Sequence, residues 1–373
     1  MEPSSTSASP TLDPVLPPAE VAFERRGHSG VVILNRPRAV NALNHAMVAA
    51  VDTQLRLWAE DPDVEHVVIT GAGERGLCSG GDVVAMYRDM VAGERASHDF
   101  FRAEFRMNSL IFGYPKPIVA VQDGLVLGGG VGISAHASHR VVTETTRMGM
   151  PEVTIGYVPD VGGTWLLGHA GAAGVHAVMT GDHVGPGDAI HLGLSDAFVP
   201  AAQLPEFLRF LETETADDAV ARFAVQAPAA LLAAADGSDG AAAWVEECYA
   251  GALSGDASAA VILSRLETHP HEEARAAADT ILGKCPRSVA VGLEAVRRHA
   301  QSSLDEALRD EFRVAVRCLA SHDMREGIRA QVIDKDRNPR WEHASLSDVS
   351  QELVLGYFEP FQPGETDGGD LEL

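Results

Sequence analysis

Two carboxylates, Glu152 and Asp160, stand eight positions apart in residues 150–163, Met-Pro-Glu-Val-Thr-Ile-Gly-Tyr-Val-Pro-Asp-Val-Gly-Gly. The stretch is otherwise apolar and glycine-rich and holds no cation. Carboxyl groups buried in such surroundings keep their protons to higher pH, which suits them to proton transfer or nucleophilic attack. Either residue could instead be an ordinary cap, Asp160 before a helix opening after Gly163. Two further segments offer backbone rather than side-chain chemistry. Residues 77–82, Leu-Cys-Ser-Gly-Gly-Asp, follow a turn at Gly71-Ala72-Gly73, and residues 128–132 read Gly-Gly-Gly-Val-Gly. Glycines let a ligand approach the main chain, and amides at a helix start point outward. The second run places four glycines in five residues. Inside a helix each disfavours it by about 1 kcal/mol, so tight packing or a bound group must offset the loss. Neither run has the spacing of a dinucleotide fingerprint.

These groups need elements to hold them. Residues 31–34 are apolar and β-branched and end at Asn35-Arg36-Pro37, a breaker. A fourth notable segment, residues 34–43, turns from there into a helix and carries Arg36 and Arg38. Met47, Val51, Leu55 and Trp58 lie at helical spacing behind Asn44, an N-cap residue type. Residues 66–70, 117–121 and 139–143 read as further strands, and a helix is expected from Val83. Strands alternating with helices predict an α/β core over residues 21–200. Beyond Pro200 alanine-rich, charge-decorated helical patterns take over, at 204–214, 217–235, 241–253, 272–282, 288–300 and 304–320, so 201–360 reads as a helical region. The loop Gly237-Ser238-Asp239-Gly240 interrupts it. Residues 1–20, rich in Ser and Pro, read as a disordered leader without signal or transit character, and 361–373 as a flexible acidic tail.

The formal charge of −24 repels phosphate backbones and anionic headgroups, which argues against nucleic acid or membrane partners. It leaves room for a small anionic ligand held by a few local cations or amides. Four scattered cysteines read as reduced thiols of a cytoplasmic protein, and no metal-binding spacing occurs among them or the 15 histidines.

Taken in order, the segments at 34–43, 77–82, 128–132 and 150–163 resemble the crotonase (enoyl-CoA hydratase/isomerase) superfamily. That resemblance implies a spiral of ββα units and an acyl-CoA substrate, with CoA part of the substrate and no separate cofactor. It places the oxyanion-hole amides on Gly81 and Gly129, and the CoA contacts on Arg38, Ala39, Gly81, Asp82 and Val83. It implies trimer-type homo-oligomers, which the helical extension could alter. Hydratases of the family use two glutamates; the second matches Glu152, but the first falls on Gly132, which has no side chain. Asp160 stands where typical hydratases have glycine.

Glu152 with Asp160 resembles the 3-hydroxyisobutyryl-CoA hydrolase subgroup. The subgroup's substrate-contacting glutamate falls on Glu104, in Phe100-Phe101-Arg102-Ala103-Glu104-Phe105, although a glutamate in a helix is also the usual mark of a solvated face. Residues 323–341 are similar to its C-terminal signature, with Met324 in place of the usual Phe. The resemblance implies thioester hydrolysis in valine catabolism, with Glu152 as nucleophile or water activator and Asp160 moving protons. A hydratase or isomerase is the alternative.

Overall fold

The computed structural model describes residues 19–233 and 242–373. The leader up to residue 18 and the loop at 237–240 lie outside the described residues.

A six-stranded sheet carries the core, in the order β1-β2-β3-β4-β6-β8. Its strands are β1 Val21–Arg26, β2 Ser29–Leu34, β3 His66–Gly71, β4 Ile118–Gln122, β6 His139–Val142 and β8 Ala197–Phe198. A small parallel pair, β5 Leu125–Leu127 and β7 Arg147–Gly149, stands apart from it. Only β1–β2 is antiparallel; every other pairing is parallel and is reached by a crossover. Parallel strands need both faces covered, and β4 is buried at every residue. One face packs on α1 His45–Glu60 and α3 Ala96–Phe112, which lie in the β2–β3 and β3–β4 crossovers. Between them runs α2 Val83–Ala92. The expected Asn44 cap is present, its side chain accepting from the Met47 amide at 2.9 Å.

The other helices are α4 Gly129–Ala135, α5 Gly163–His169, α6 Gly171–Thr180, α7 Pro186–His191, α8 Leu204–Phe210 and α9 Ala216–Phe223. They continue as α10 Ala243–Tyr249, α11 Ala259–Thr268, α12 Glu272–Leu282, α13 Pro286–His299, α14 Leu304–Leu319, α15 His322–Ile328 and α16 Gln351–Gly356. The architecture is the expected α/β core with C-terminal helices. The change of composition at residue 200 is not a change of packing. α8 and α9 bury Phe207, Leu211 and Phe223 on the second face of the sheet against Val31, Val68, Val119 and Val141. α13 and α14 share one continuous apolar core with α3, α5 and α6. The helix expected over 217–235 stops at Phe223, where Val225 instead donates its amide to Phe198 O (2.9 Å) and extends the sheet edge.

The acidic tail also differs from expectation. Arg313 holds the Asp370 carboxylate at 2.6 Å, Arg102 donates to the carbonyls of Gly369 and Asp370, and Arg95 pairs with Asp367. Leu371 is buried. Composition marked this segment as flexible because its own residues are polar; the arginines that order it lie on α3 and α14, far away in sequence.

Candidate active site

The segment at 34–43 and the turn at 77–82 are laced together. Leu43 donates its amide to Gly80 O and Asp82 to Leu43 O, both at 2.8 Å, and Ser79 donates to Val40 O at 2.9 Å. Arg36 bridges the same two segments through the Asp82 carboxylate (3.0 Å) and Ala42 O (2.6 Å). Asp82 in turn caps α2 by accepting from the Ala85 amide. On its other side the turn pairs with β5: Cys78 donates to Leu125 O and Leu127 to Cys78 O. That pairing delivers Gly128 and the start of α4 beside Gly80 and Gly81.

The amides of Gly81 and Gly129 have no backbone partner among the described residues. They lie close, since a Cβ built on Gly129 would stand 3.4 Å from Gly81 N. Two adjacent, unpaired amides aimed from separate turns form a cradle for one oxygen. The glycines are required by space as well. A Cβ on Gly130 would fall 2.5 Å from Cys78 O, and Gly128 has a positive φ of 49°. Close packing therefore offsets the poor helix propensity of α4.

Carboxyl groups flank this cradle on both sides. Glu152 Oε1 lies 2.5 Å from where a Gly128 Cβ would be, and Glu104 Oε1 at the same distance from a Gly129 Cβ. Glu104 does not lie on a solvated helix face: it is buried, on the inner side of α3 with Phe101 and Phe105. Asp160, also buried, joins them in lining one cavity of about 810 Å³. Burial dominates their ionisation. It pushes Asp160 up to about 7, against the Tyr157 hydroxyl that favours the charged form. Glu152 is held well above the usual carboxylate range by burial and by the neighbouring Asp160. Glu104 is raised by burial, then by Asp160 and Glu152. Among the described residues, Glu104 Oε1 and Glu152 Oε2 have no hydrogen-bond partner, as expected of groups kept for a substrate.

Gly132 is sealed. A Cβ there would stand 2.6 Å from Val161 Cβ and 3.0 Å from the Asn108 amide nitrogen. A side chain at this position requires Val161 to move.

Asp160 reaches the cavity from a turn with left-handed backbone at Val161 (φ 54°) and Gly162 (φ 77°). His136 Nε2 donates to Val161 O at 2.7 Å, and Glu311 on α14 accepts from the amides of Gly162 (2.7 Å) and Thr164 (3.3 Å). Asp160 is thus not the cap of α5; Glu311 is. Sequence reading missed Glu311, although it falls on the apolar stripe of α14 with Leu304, Leu308 and Phe312, a signal in itself. It also missed Tyr157, Phe101 and the C-terminal residues Lys284, Met324 and Val332, which line the cavity.

Of the residues expected to contact CoA, Ala39, Gly81, Asp82 and Val83 line the cavity. Arg38 does not; it is exposed, and its carbonyl accepts from Arg75. The basic side chains that do line it are Lys284, whose Nζ donates to Thr154 Oγ1 at 3.0 Å, and His183; burial lowers the pKa of both, which favours neutral His183. Among the described residues one trio, Asp323, Glu342 and His343, is close enough to share a cation. Asp323 is already engaged there by the Cys285 thiol and the Glu342 amide.

Residues 29–358 match the family model described as enoyl-CoA hydratase/isomerase. The chain belongs to that family. Its curated relatives include the mitochondrial 3-hydroxyisobutyryl-CoA hydrolases of Rattus norvegicus (36% identical, covering 91% of this chain and 89% of the relative) and Gallus gallus (33%, 92% and 89%). Two solved structures share the crotonase fold over nearly the whole chain. A carnitinyl-CoA dehydratase from Mycobacterium thermoresistibile is 43% identical with a TM-score of 0.86, covering 94% of this chain and 99% of its own. An enoyl-CoA hydratase from Rhodobacter sphaeroides is 38% identical with a TM-score of 0.85, covering 95% and 100%. The two sets of names differ in the reaction.

Proposed function

We propose that this crotonase-family chain hydrolyses 3-hydroxyisobutyryl-CoA to 3-hydroxyisobutyrate and CoA. The observation that carries the reading is the pairing of Glu152 and Asp160 in one cavity with a Gly132 that has no room for a second glutamate. The thioester oxygen is held by the Gly81 and Gly129 amides, which stabilise the negative charge that develops as the carbonyl becomes tetrahedral; losing one such donor costs on the order of 3 kcal/mol in the transition state. Glu152 either attacks the carbonyl carbon, forming an anhydride that water then opens, or takes a proton from water as it attacks. Both routes need Glu152 as carboxylate. Asp160 accepts protons beside it and positions the attacking water or the substrate's 3-hydroxyl, and Glu104 contacts the substrate. The names of the curated relatives support the same substrate, and with it a place in valine catabolism.

The second reading is hydration or dehydration, supported by the names of the two solved structures. Thiol release from 3-hydroxyisobutyryl-CoA, measured beside hydration of crotonyl-CoA, separates them. Hydrolysis predicts rapid release and slow hydration; the reverse ranking contradicts the proposal.

The proposal includes a reducing compartment, supported by four cysteines that are all free and buried. The cytoplasm meets that condition, and the vertebrate relatives are named as mitochondrial. No helix of the described residues is long and apolar enough to cross a membrane. Trimer-type self-assembly, carried over from the family, is tested by light scattering.

A further inference from the structure

Tyr157 lies within the carboxylate-bearing segment, yet neither catalytic role proposed above uses it. It is buried, and its hydroxyl donates to Asp160 Oδ2 at 2.7 Å. Its ring stacks on Phe101, centroids 5.6 Å apart and planes 26° apart, and both side chains line the cavity. Phe101 sits on α3 three residues before Glu104. One tyrosine therefore touches the aspartate through its hydroxyl and the helix that carries Glu104 through its ring.

We propose that Tyr157 is a positioning residue of the hydrolytic site, fixing which Asp160 oxygen meets the substrate and keeping that carboxylate a proton acceptor. The inference rests on the hydrolase reading. With Oδ2 committed to the phenol, Oδ1 is the oxygen left for the substrate hydroxyl or the attacking water. The phenol is a dependable donor, because burial and then the Asp160 charge raise its own pKa well above the usual tyrosine range. The groups acting on Asp160 and Tyr157 come from every side. Glu104 faces them from α3, Glu152 from the segment before them, and Glu311 and Cys318 from α14. All of these are acids; the charged form of Asp160 is favoured by the Tyr157 hydroxyl first and by the backbone amide of Asp160 second.

The sign of the effect follows. Removing a donor to a carboxylate raises its pKa, so the pH range in which Asp160 accepts a proton begins higher. In Tyr157→Phe the acid limb of kcat for 3-hydroxyisobutyryl-CoA should move to higher pH by about one unit. At pH 6.5 kcat should fall several-fold, to at most about tenfold, and at pH 8.5 by less than about twofold. KM should change little, since the hydroxyl of Tyr157 does not itself bind substrate. Isobutyryl-CoA, which lacks the 3-hydroxyl, should lose less activity than the hydroxylated substrate. An unmoved acid limb, or equal losses at both pH values and with both substrates, would overturn the proposal. If Tyr157→Phe does not fold, Phe101→Leu carries the test: it keeps the phenol but removes its stacking partner. A smaller shift in the same direction is expected there, and an unchanged midpoint refutes the role. Absence of thiol release by the unaltered chain would instead refute the hydrolase reading itself.

Discussion

Gly132 is the position at which hydrolysis and hydration part in the proposed reading. Its missing side chain was visible in the sequence, but the reason was not: Val161, twenty-nine positions later, fills the space. The obvious engineering step, restoring a family glutamate by Gly132→Glu, is therefore expected to fail. Even Gly132→Ala places a methyl 2.6 Å from Val161 Cβ, and overpacking of this kind costs about 1–3 kcal/mol. Urea unfolding should show that loss in Gly132→Ala, and Gly132→Glu should gain no crotonyl-CoA hydration. Efficient hydration by Gly132→Glu would mean that the turn at Val161 yields, and that the distinction from hydratases is shallower than the packing indicates. Glu152, Asp160, Gly81 and Gly129 were legible as residue types in a pattern. Glu104 was legible only by resemblance, because a glutamate in a helix usually faces water and nothing local says that this one faces inward.

At the scale of elements, the strands and the glycine turns followed from local rules. β-branched runs ended by breakers gave β2, β3 and β4, and the Asn44 cap opened α1 where spacing placed it. The misses share a cause, namely partners distant in the chain. α9 stops at Phe223 because the following residues pair with the β8 edge. Glu311 caps α5 from 149 positions beyond Gly162. The tail is the plainest case. Its carboxylates and carbonyls meet arginines on α3 and α14, and Leu371, exposed to only 2%, packs into the core beneath them. Leu371→Ala is thus expected to destabilise the chain by about 2 kcal/mol, read as a lower urea midpoint at unchanged slope. A free tail would leave the midpoint where it is. The outer side of α3 that the tail grips lies opposite the side that presents Glu104 and Phe101, so tail and cavity share one helix.

Across the whole molecule, some of the acids that give the chain its charge of −24 lie in its interior, and the proposed chemistry is built on them. Burial keeps Glu104, Glu152 and Asp160 protonated to higher pH than free carboxylates, with repulsion from neighbouring acids adding to it for Glu104 and Glu152. Helices after residue 200 complete the cavity that the first half begins, since Met324, Val332 and Lys284 line it beside the oxyanion cradle. Both halves line one cavity, and Glu152 is the group on which the proposed chemistry turns. The most direct test is thiol release from 3-hydroxyisobutyryl-CoA by Glu152→Gln, which keeps the shape of the side chain and removes its ability to attack or accept a proton. A fall in kcat of at least about 100-fold, in a folded variant, is the expected result. Release at the unaltered rate would contradict the assignment of the catalytic carboxylate and, with it, the proposed hydrolysis.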